Sequence, residues 1–506
     1  MYLGADFALF LRFISNSGDM GNCKGVTLVL LAVVTSLCAQ DDSQAIIAAA
    51  LRPSPIESNL RRLTDEIGGR VPGTPAMANA VAWGVEAFKL AGADSVHTEE
   101  FTIPSSWAEG DTRMSVVLPE KFVLRVVALP WTPAMAMRKP APIVNVGEGS
   151  AADFAKATIP EGSILLVQSN EMATWDDLFA EYARAPGIIE RAAKAKATAI
   201  AFQSTRPHDL LYRHTNSIAG EIDRLPMVMV AREDAARAVR LLESGQKLFA
   251  ELDIPNKIGG PIKSENVVAE IKGSEKPDEF VILGAHLDSW DLGTGALDNG
   301  CNAALTIDAL RAIKASGLRP LRTIRFVLFS GEEEGMIGSH AYVLAHRNEM
   351  DRTSAVIIFD SGIGRTTGFS VGGRTDVVPA ATALVAPLAQ FDATGLTTDA
   401  EWGTDNFDFL LEGVPTFVAN QVEGNYLINY HAMSDTFDKV DIAQLKKHVA
   451  EAAWLAFAAA DSPQPVGPRL SHAQIEKTMR ETHLDDQLKD TILWQQWQDG
   501  TRGRAN

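Results

Sequence analysis

The chain predicts an α/β fold, a mixed, largely parallel β-sheet flanked by helices, with a second α/β unit inserted into it. Three observations carry this. Short apolar runs alternate with longer helical patterns through the second half of the chain, the rhythm of βαβ units. Between about residues 116 and 262 that rhythm is interrupted by a self-contained set of strands and helices. Histidines and carboxylates recur where apolar runs stop, at the edge where open α/β sheets place their sites.

Residues 1–39 read as an upstream extension plus a signal peptide. In "KGVTLVLLAVVTSLCAQDD", Lys24 precedes an apolar core from Val26 to Leu37, followed by Ala39 and Gln40. Such a core is short for a bilayer span and suits a secretory signal cleaved after Ala39. Met20 is the natural initiator. A permanent N-terminal anchor, which the imperfect A-x-A pattern at Leu37 leaves open, and, through Cys38, a lipoprotein, which the bulky Leu37 disfavours, are the alternatives. The implied location is secreted or periplasmic, with no stable membrane span after signal removal. Cys301 is then the one cysteine of the mature chain, which rules out an intramolecular disulfide.

Residues 41–115 form the N-terminal part of the main domain, read as helix, Gly/Pro turn ("GGRVPGTP"), amphipathic helix and strand. The inserted unit, 116–262, contains the strands "SILLVQSNEM" and "ATAIAFQST" around the helix "GIIERAAKAKA", then "LPMVMVAREDAARAVRLLESG" as strand and helix. Residues 263–462 make the main domain. It opens with "ENVVAEIKGSEKPDEFVILGAH", read as a hairpin across the polar turn "KGSEKPDE". Helix "NAALTIDALRAIKASG", strand "RTIRFVLFS", helix "GSHAYVLAHRNEM", strand "SAVIIFD", helix "VVPAATALVAPLAQF", strand "GVPTFVANQ" and helix "IAQLKKHVAEAAWLAFAAA" follow. Residues 463–506 are a proline-rich linker and a helical tail in which Trp494 and Trp497 pack on the body or a partner.

Bulk numbers exclude several classes. At 506 residues the chain has room for more than one domain. Its 46% hydrophobic and 22% charged content is that of a folded globular protein. A formal charge of −18 repels a phosphate backbone, so nucleic acid is not an expected partner.

The stretch "GAHLDSWDLGTGALDNG", Gly284 to Gly300, ends an apolar strand in one histidine and three aspartates. Unpaired carboxylates beside a core are costly, so a missing cation is the first explanation. Imidazole and carboxylate are the ligands of zinc-type hydrolytic sites, in which two metals commonly share a bridging carboxylate. His286, Asp298, Glu332, Glu333, Asp360 and His431 would supply two histidines, a bridge, further acids and a base. Asp288 lies near enough to accept the proton on the other nitrogen of His286 and fix its tautomer. Singly, each has a bland reading: "HLD" as a loop, "GEEEG" as a solvated turn, "FD" as a cap. Their location on consecutive strand ends argues for the joint reading.

"GAHLDSWDLGTGALDNG", "FVLFSGEEEGMIGS", "IIFDSG", "GTDNFDFLLEGVP" and "YHAMSDTFDKV" together resemble the successive motifs of co-catalytic di-zinc exopeptidases of the aminopeptidase superfamily, on the plasma glutamate carboxypeptidase (carboxypeptidase Q) branch. The resemblance implies the zinc exopeptidase fold with a protease-associated-like insertion acting as a lid. It implies two zinc ions, one held by His286 and Asp360, the other by Glu333 and His431, with Asp298 bridging. Glu332 becomes the general base for a water activated between the metals, Glu334 is non-catalytic, and the Asp298–Asn299 peptide is cis. Short peptides or dipeptides would be the substrates and a homodimer the assembly. Met433, Asn299 and Cys301 depart from the family pattern and bear on substrate preference.

Trp402, Asp405, Asn429 and Tyr430 are read as lining the substrate pocket. His340 and His346 are read as solvated, as are His208 and His214 in the lid, and Cys301 as a packing residue. Two alternatives stand beside the carboxypeptidase reading: an aminopeptidase of the same superfamily, and an inactive receptor-like ectodomain, against which the filled ligand positions argue.

Overall fold

The computed structural model describes residues 42–505 apart from 138, 215, 217 and 490. The signal peptide with its cleavage after Ala39 therefore lies outside the described residues. Among the described residues no helix is long and apolar enough to cross a membrane.

The main sheet has eight strands among the described residues, in the order Ser95–Ile103, Ile262–Ile271, Arg322–Phe329, Lys276–His286, Thr353–Ile358, Thr416–Gln421, Thr366–Ser370 and Gly395–Thr397. Its centre is parallel, Lys276–His286 pairing with Arg322–Phe329 on one side and Thr353–Ile358 on the other. Every residue of Arg322–Phe329 and Thr353–Ile358 is buried, as continuous apolar strands covered on both faces should be. Alternate residues serve opposite layers. Leu283, Phe326 and Ile357 pack with helices Pro75–Ala91, Cys301–Ser316 and Ile442–Asp461, while Ile282, Val327 and Val356 pack with Tyr342 and Phe409 from the opposite helices.

The hairpin expected across "KGSEKPDE" is corrected. Strand Ile262–Ile271 pairs antiparallel with Arg322–Phe329, which lies between it and Lys276–His286. The polar turn does reverse the chain, but the wholly buried strand Arg322–Phe329 takes a hydrogen-bonding edge of each flanking strand.

A second sheet is built from strands lying between Arg113 and Ile254, in the order Phe122–Leu124, Arg113–Leu118, Phe249–Ile254, Ala141–Asn145, Ile164–Val167, Ala199–Gln203, Met227–Val230 and Val126–Ala128, with Met135–Ala136 beside Phe249–Ile254. It is inserted between Ser95–Ile103 and Ile262–Ile271, which pair antiparallel from Ser95 opposite Glu270 to Ile103 opposite Ile262. The two ends of the insertion are thus adjacent, which lets it leave and rejoin the main sheet without disturbing it.

Candidate metal centre

Register decides which residues meet. His286 lies opposite Phe329, and Gly284 opposite Ile358. His286, the "GEEEG" turn after Phe329 and Asp360 after Ile358 therefore emerge at one carboxyl edge. Asp298 arrives from the loop before helix Cys301–Ser316, across a cis peptide to Asn299. His431 comes from the loop after the short helix Tyr426–Asn429.

The side chains converge into two donor sets that share one residue: His286, Asp298 and Asp360, and Asp298, Glu333 and His431, the ligand atoms in each within 4.8 Å of one another. His286 Nε2 is 3.2 Å from Asp298 Oδ1 and 3.3 Å from Asp360 Oδ1. His431 Nε2 is 3.2 Å from Asp298 Oδ2 and 2.8 Å from Glu333 Oε2. Asp298 thus turns one oxygen to each set.

The tautomers follow from the other ring nitrogens. His286 Nδ1 donates to the main-chain carbonyl of Asp288 at 3.0 Å, and His431 Nδ1 to that of Arg213 at 3.1 Å. A carbonyl can only accept, so in a neutral ring each Nδ1 carries the hydrogen and each Nε2 lone pair faces carboxylates. The Asp288 expectation is corrected accordingly. Its backbone oxygen orients His286, while its carboxylate stays 3.8 Å from Nδ1 and accepts the Glu333 amide at 3.2 Å. The tight turn after His286 brings the carbonyl nearer than the side chain.

The electrostatics are those of an acid cluster awaiting positive charge. Burial pushes Glu333 up to about 7 and raises Asp360 above its usual range. Burial also opposes charge on His431, yet Glu333 and Asp298 outweigh it and bring it up to about 9. Glu333 Oε1 and Asp288 Oδ1 are buried and meet no hydrogen-bond donor among the described residues. An imidazole and carboxylate set with orphaned oxygens fits a zinc-type cation.

Sequence reasoning missed two supports. Asp435 accepts the amides of Ala296, Leu297 and Asp298 at 3.1, 2.7 and 3.1 Å, and so fixes the loop that carries Asp298. Burial pushes it up to about 7. Arg70, fully buried, donates to the carbonyls of Leu287 (2.6 Å), Gly68 (3.0 Å), Thr294 (2.7 Å) and Gly295 (2.8 Å). The Asp435 spacing after His431 was a usable signal. Arg70 in "GGRVPGTP" offered none, because its partners are backbone atoms, three of the four more than 200 residues along the chain.

Residues 266–456 match the family model described as Peptidase family M28. Carboxypeptidase Q of Mus musculus is 29% identical over 429 residues, spanning 83% of this chain and 90% of that protein. Aminopeptidase YwaD of Bacillus subtilis (strain 168) is 24% identical over 84% of this chain and 91% of that one. A crystal structure of a peptidase M28 precursor from Shewanella amazonensis SB2B matches with a TM-score of 0.76 at 26% identity, covering 86% of this chain and 99% of that chain. The chain is a zinc exopeptidase of the aminopeptidase superfamily.

The remaining candidate residues of the exopeptidase fall into place unevenly. Tyr430 stacks on His431 with ring centroids 3.6 Å apart, and Asp405 is buried close enough to Asp360 for burial and that neighbour to raise its carboxyl. Asn429 is spent on the loop itself, donating to Asn425 O at 2.5 Å and accepting from Ser434 at 2.6 Å. Trp402 packs on the C-terminal helices and donates to Gln487 at 3.0 Å. Glu334 is wholly buried, so "GEEEG" is no solvated turn. His340 pairs with Asp408 and His346 with Glu99 and Glu349, rather than being solvated. His214 is buried too, against the solvated reading. Cys301 is fully buried, its thiol raised by burial, and Asn299 braces Phe359 O at 3.1 Å. Both are packing positions.

Proposed function

We propose that this exopeptidase holds two zinc ions and hydrolyses short peptides in the manner of carboxypeptidase Q, with Glu332 as general base. The observation that carries the reading is Asp298, which presents one oxygen to each of two complete donor sets. His286 and Asp360 would hold one ion, Glu333 and His431 the other. Bound zinc supplies Lewis acidity, lowering the pKa of a water and polarising the scissile carbonyl.

The rest is done by the chain. Glu332 is only partly buried, beside the ligands yet outside both donor sets. Burial raises its carboxyl well above the usual range, with Asp360, Glu333 and Asp405 adding against the pull of His286. A carboxylate so tuned accepts the proton of the attacking water and returns it to the leaving amine. Asp288, through its main chain, keeps His286 in register. The N-terminal "KGVTLVLLAVVTSLCAQ" supports action in a secreted or periplasmic setting.

Zinc analysis of the purified enzyme combined with Glu332→Gln tests the proposal. Two equivalents per chain and a kcat lowered about 10²–10⁴-fold with both ions retained are expected. Full activity in that variant would remove Glu332 from the role.

An aminopeptidase is the second reading, and the acid excess favours it. Asp405 is a buried carboxylate next to Asp360, and among the described residues no lysine or arginine lines the small cleft bounded by Trp290, Asp298, Glu333 and His431. Such surroundings suit an α-ammonium better than a carboxylate. Comparing a free dipeptide with its N-acetylated and C-amidated forms decides: cleavage of the amidated but not the acetylated form would overturn the carboxypeptidase assignment.

A further inference from the structure

The two metal-binding histidines are held in different ways. His286 ends a central strand and finds its Nδ1 acceptor two residues later in its own loop. His431 sits in a loop, with φ of 58° in the left-handed region that non-glycine residues seldom occupy. Its acceptor, Arg213 O, belongs to the inserted unit, 218 residues away.

That contact is one of several between the two segments. Tyr212 and Ala432 form an isolated antiparallel bridge. The Arg213 amide donates to His431 O at 3.0 Å, and the Met433 amide to Leu211 O at 3.0 Å. The backbone of His431 is thus clamped by the segment that also orients its ring. The clamp is itself anchored. The Arg213 guanidinium, almost fully buried, meets Glu109 at 2.5 Å and Ala128 O at 3.0 Å inside the surrounding unit, and Asp291 at 3.0 Å in the loop after His286. One residue before His431, the hydroxyl of Tyr430 meets that of Tyr182 from helix Trp175–Lys194 at 3.0 Å.

We propose that the inserted unit is a working part of the metal centre: Arg213 is a positioning residue for His431, and docking of the segment around residues 211–213 is coupled to zinc binding at the Glu333/His431 position but not at the His286/Asp360 position. The inference rests on the two-zinc reading above. Partners that orient a ligating histidine typically change metal affinity by 10–100-fold when removed, and a coupling between two events is reciprocal. Loosening the segment weakens one ion, and removing the ions loosens the segment.

Two measurements test this. Chelator competition on Arg213→Ala, which keeps the orienting carbonyl but removes the guanidinium anchor of its segment, with Arg213→Lys as the milder variant, should show one zinc released more readily, by up to about 10-fold, while the other keeps its affinity. Unchanged affinity at both positions, or equal weakening of both, would overturn the proposal. On the unaltered enzyme, hydrogen exchange should show the amides of Arg213 and Met433 losing protection when zinc is stripped, while those of the strand ending at His286 hold theirs. Equal protection with and without zinc would overturn it even if the variants fail to fold. Fewer than two zinc equivalents in the unaltered enzyme would instead sink the two-zinc reading, so the two failures are distinguishable.

Discussion

Asp435 illustrates what a single residue does here without touching a metal. Its carboxylate accepts three successive amides of the loop that delivers Asp298. Asp435→Ala leaves those amides buried without an acceptor, so a loss of about 1–3 kcal/mol is expected, measured by denaturant unfolding, together with reduced zinc retention. Arg70→Lys makes the same point from the other side. An ammonium offers three donors and no planar fork, whereas Arg70 serves four carbonyls. A melting temperature equal to wild type would refute its role in joining the two loops. The candidate donors His286, Asp298, Glu333, Asp360 and His431, which the fold brings together, stood out because each is a chemically distinctive side chain near the end of an apolar run or in a loop of the quoted motifs. Arg70 and the Asp288 carbonyl did not, because recognition through backbone atoms leaves no trace in residue identity.

At the scale of elements, helices were read well where their ends are written locally. Helix Pro75–Ala91 starts at Thr74, whose side chain accepts the Met77 amide, has Pro75 in its first turn, and stops at Gly92 with φ of 93°. The last two strands of the sheet, Thr366–Ser370 and the edge strand Gly395–Thr397, escaped because "TTGFS" and "GLT" carry too few apolar residues to stand out. Helix Ile442–Asp461 holds a testable oddity. Glu451 is wholly buried, and burial pushes its carboxyl up to about 8. Between the ordinary carboxylate range and about 8, the unfolded chain releases this proton and the folded one keeps it. Its contribution to stability is therefore full below the ordinary range and declines as pH rises through that window. Glu451→Gln, which cannot ionise, should gain stability over wild type as pH rises. Thermal melts at pH 5 and pH 8 check this, and an equal difference at both would refute it.

For the molecule as a whole, zinc is expected to act as a stabilising ligand. Free metal at a hundred times its dissociation constant contributes about 2.7 kcal/mol per site, so chelation should lower the melting temperature and readdition restore it. An unchanged melt after complete stripping would mean that the donor sets hold together without their cations. The amino-acid sequence alone dictated the α/β class, the inserted unit and the candidate donor set, because alternation of apolar runs and the chemistry of strand-end residues are local properties. Three-dimensional packing settled which strand lies between which, that Arg322–Phe329 separates the expected hairpin, and that the inserted unit reaches His431. These depend on contacts between distant backbone segments, whose energy comes from hydrogen bonds every residue type can make.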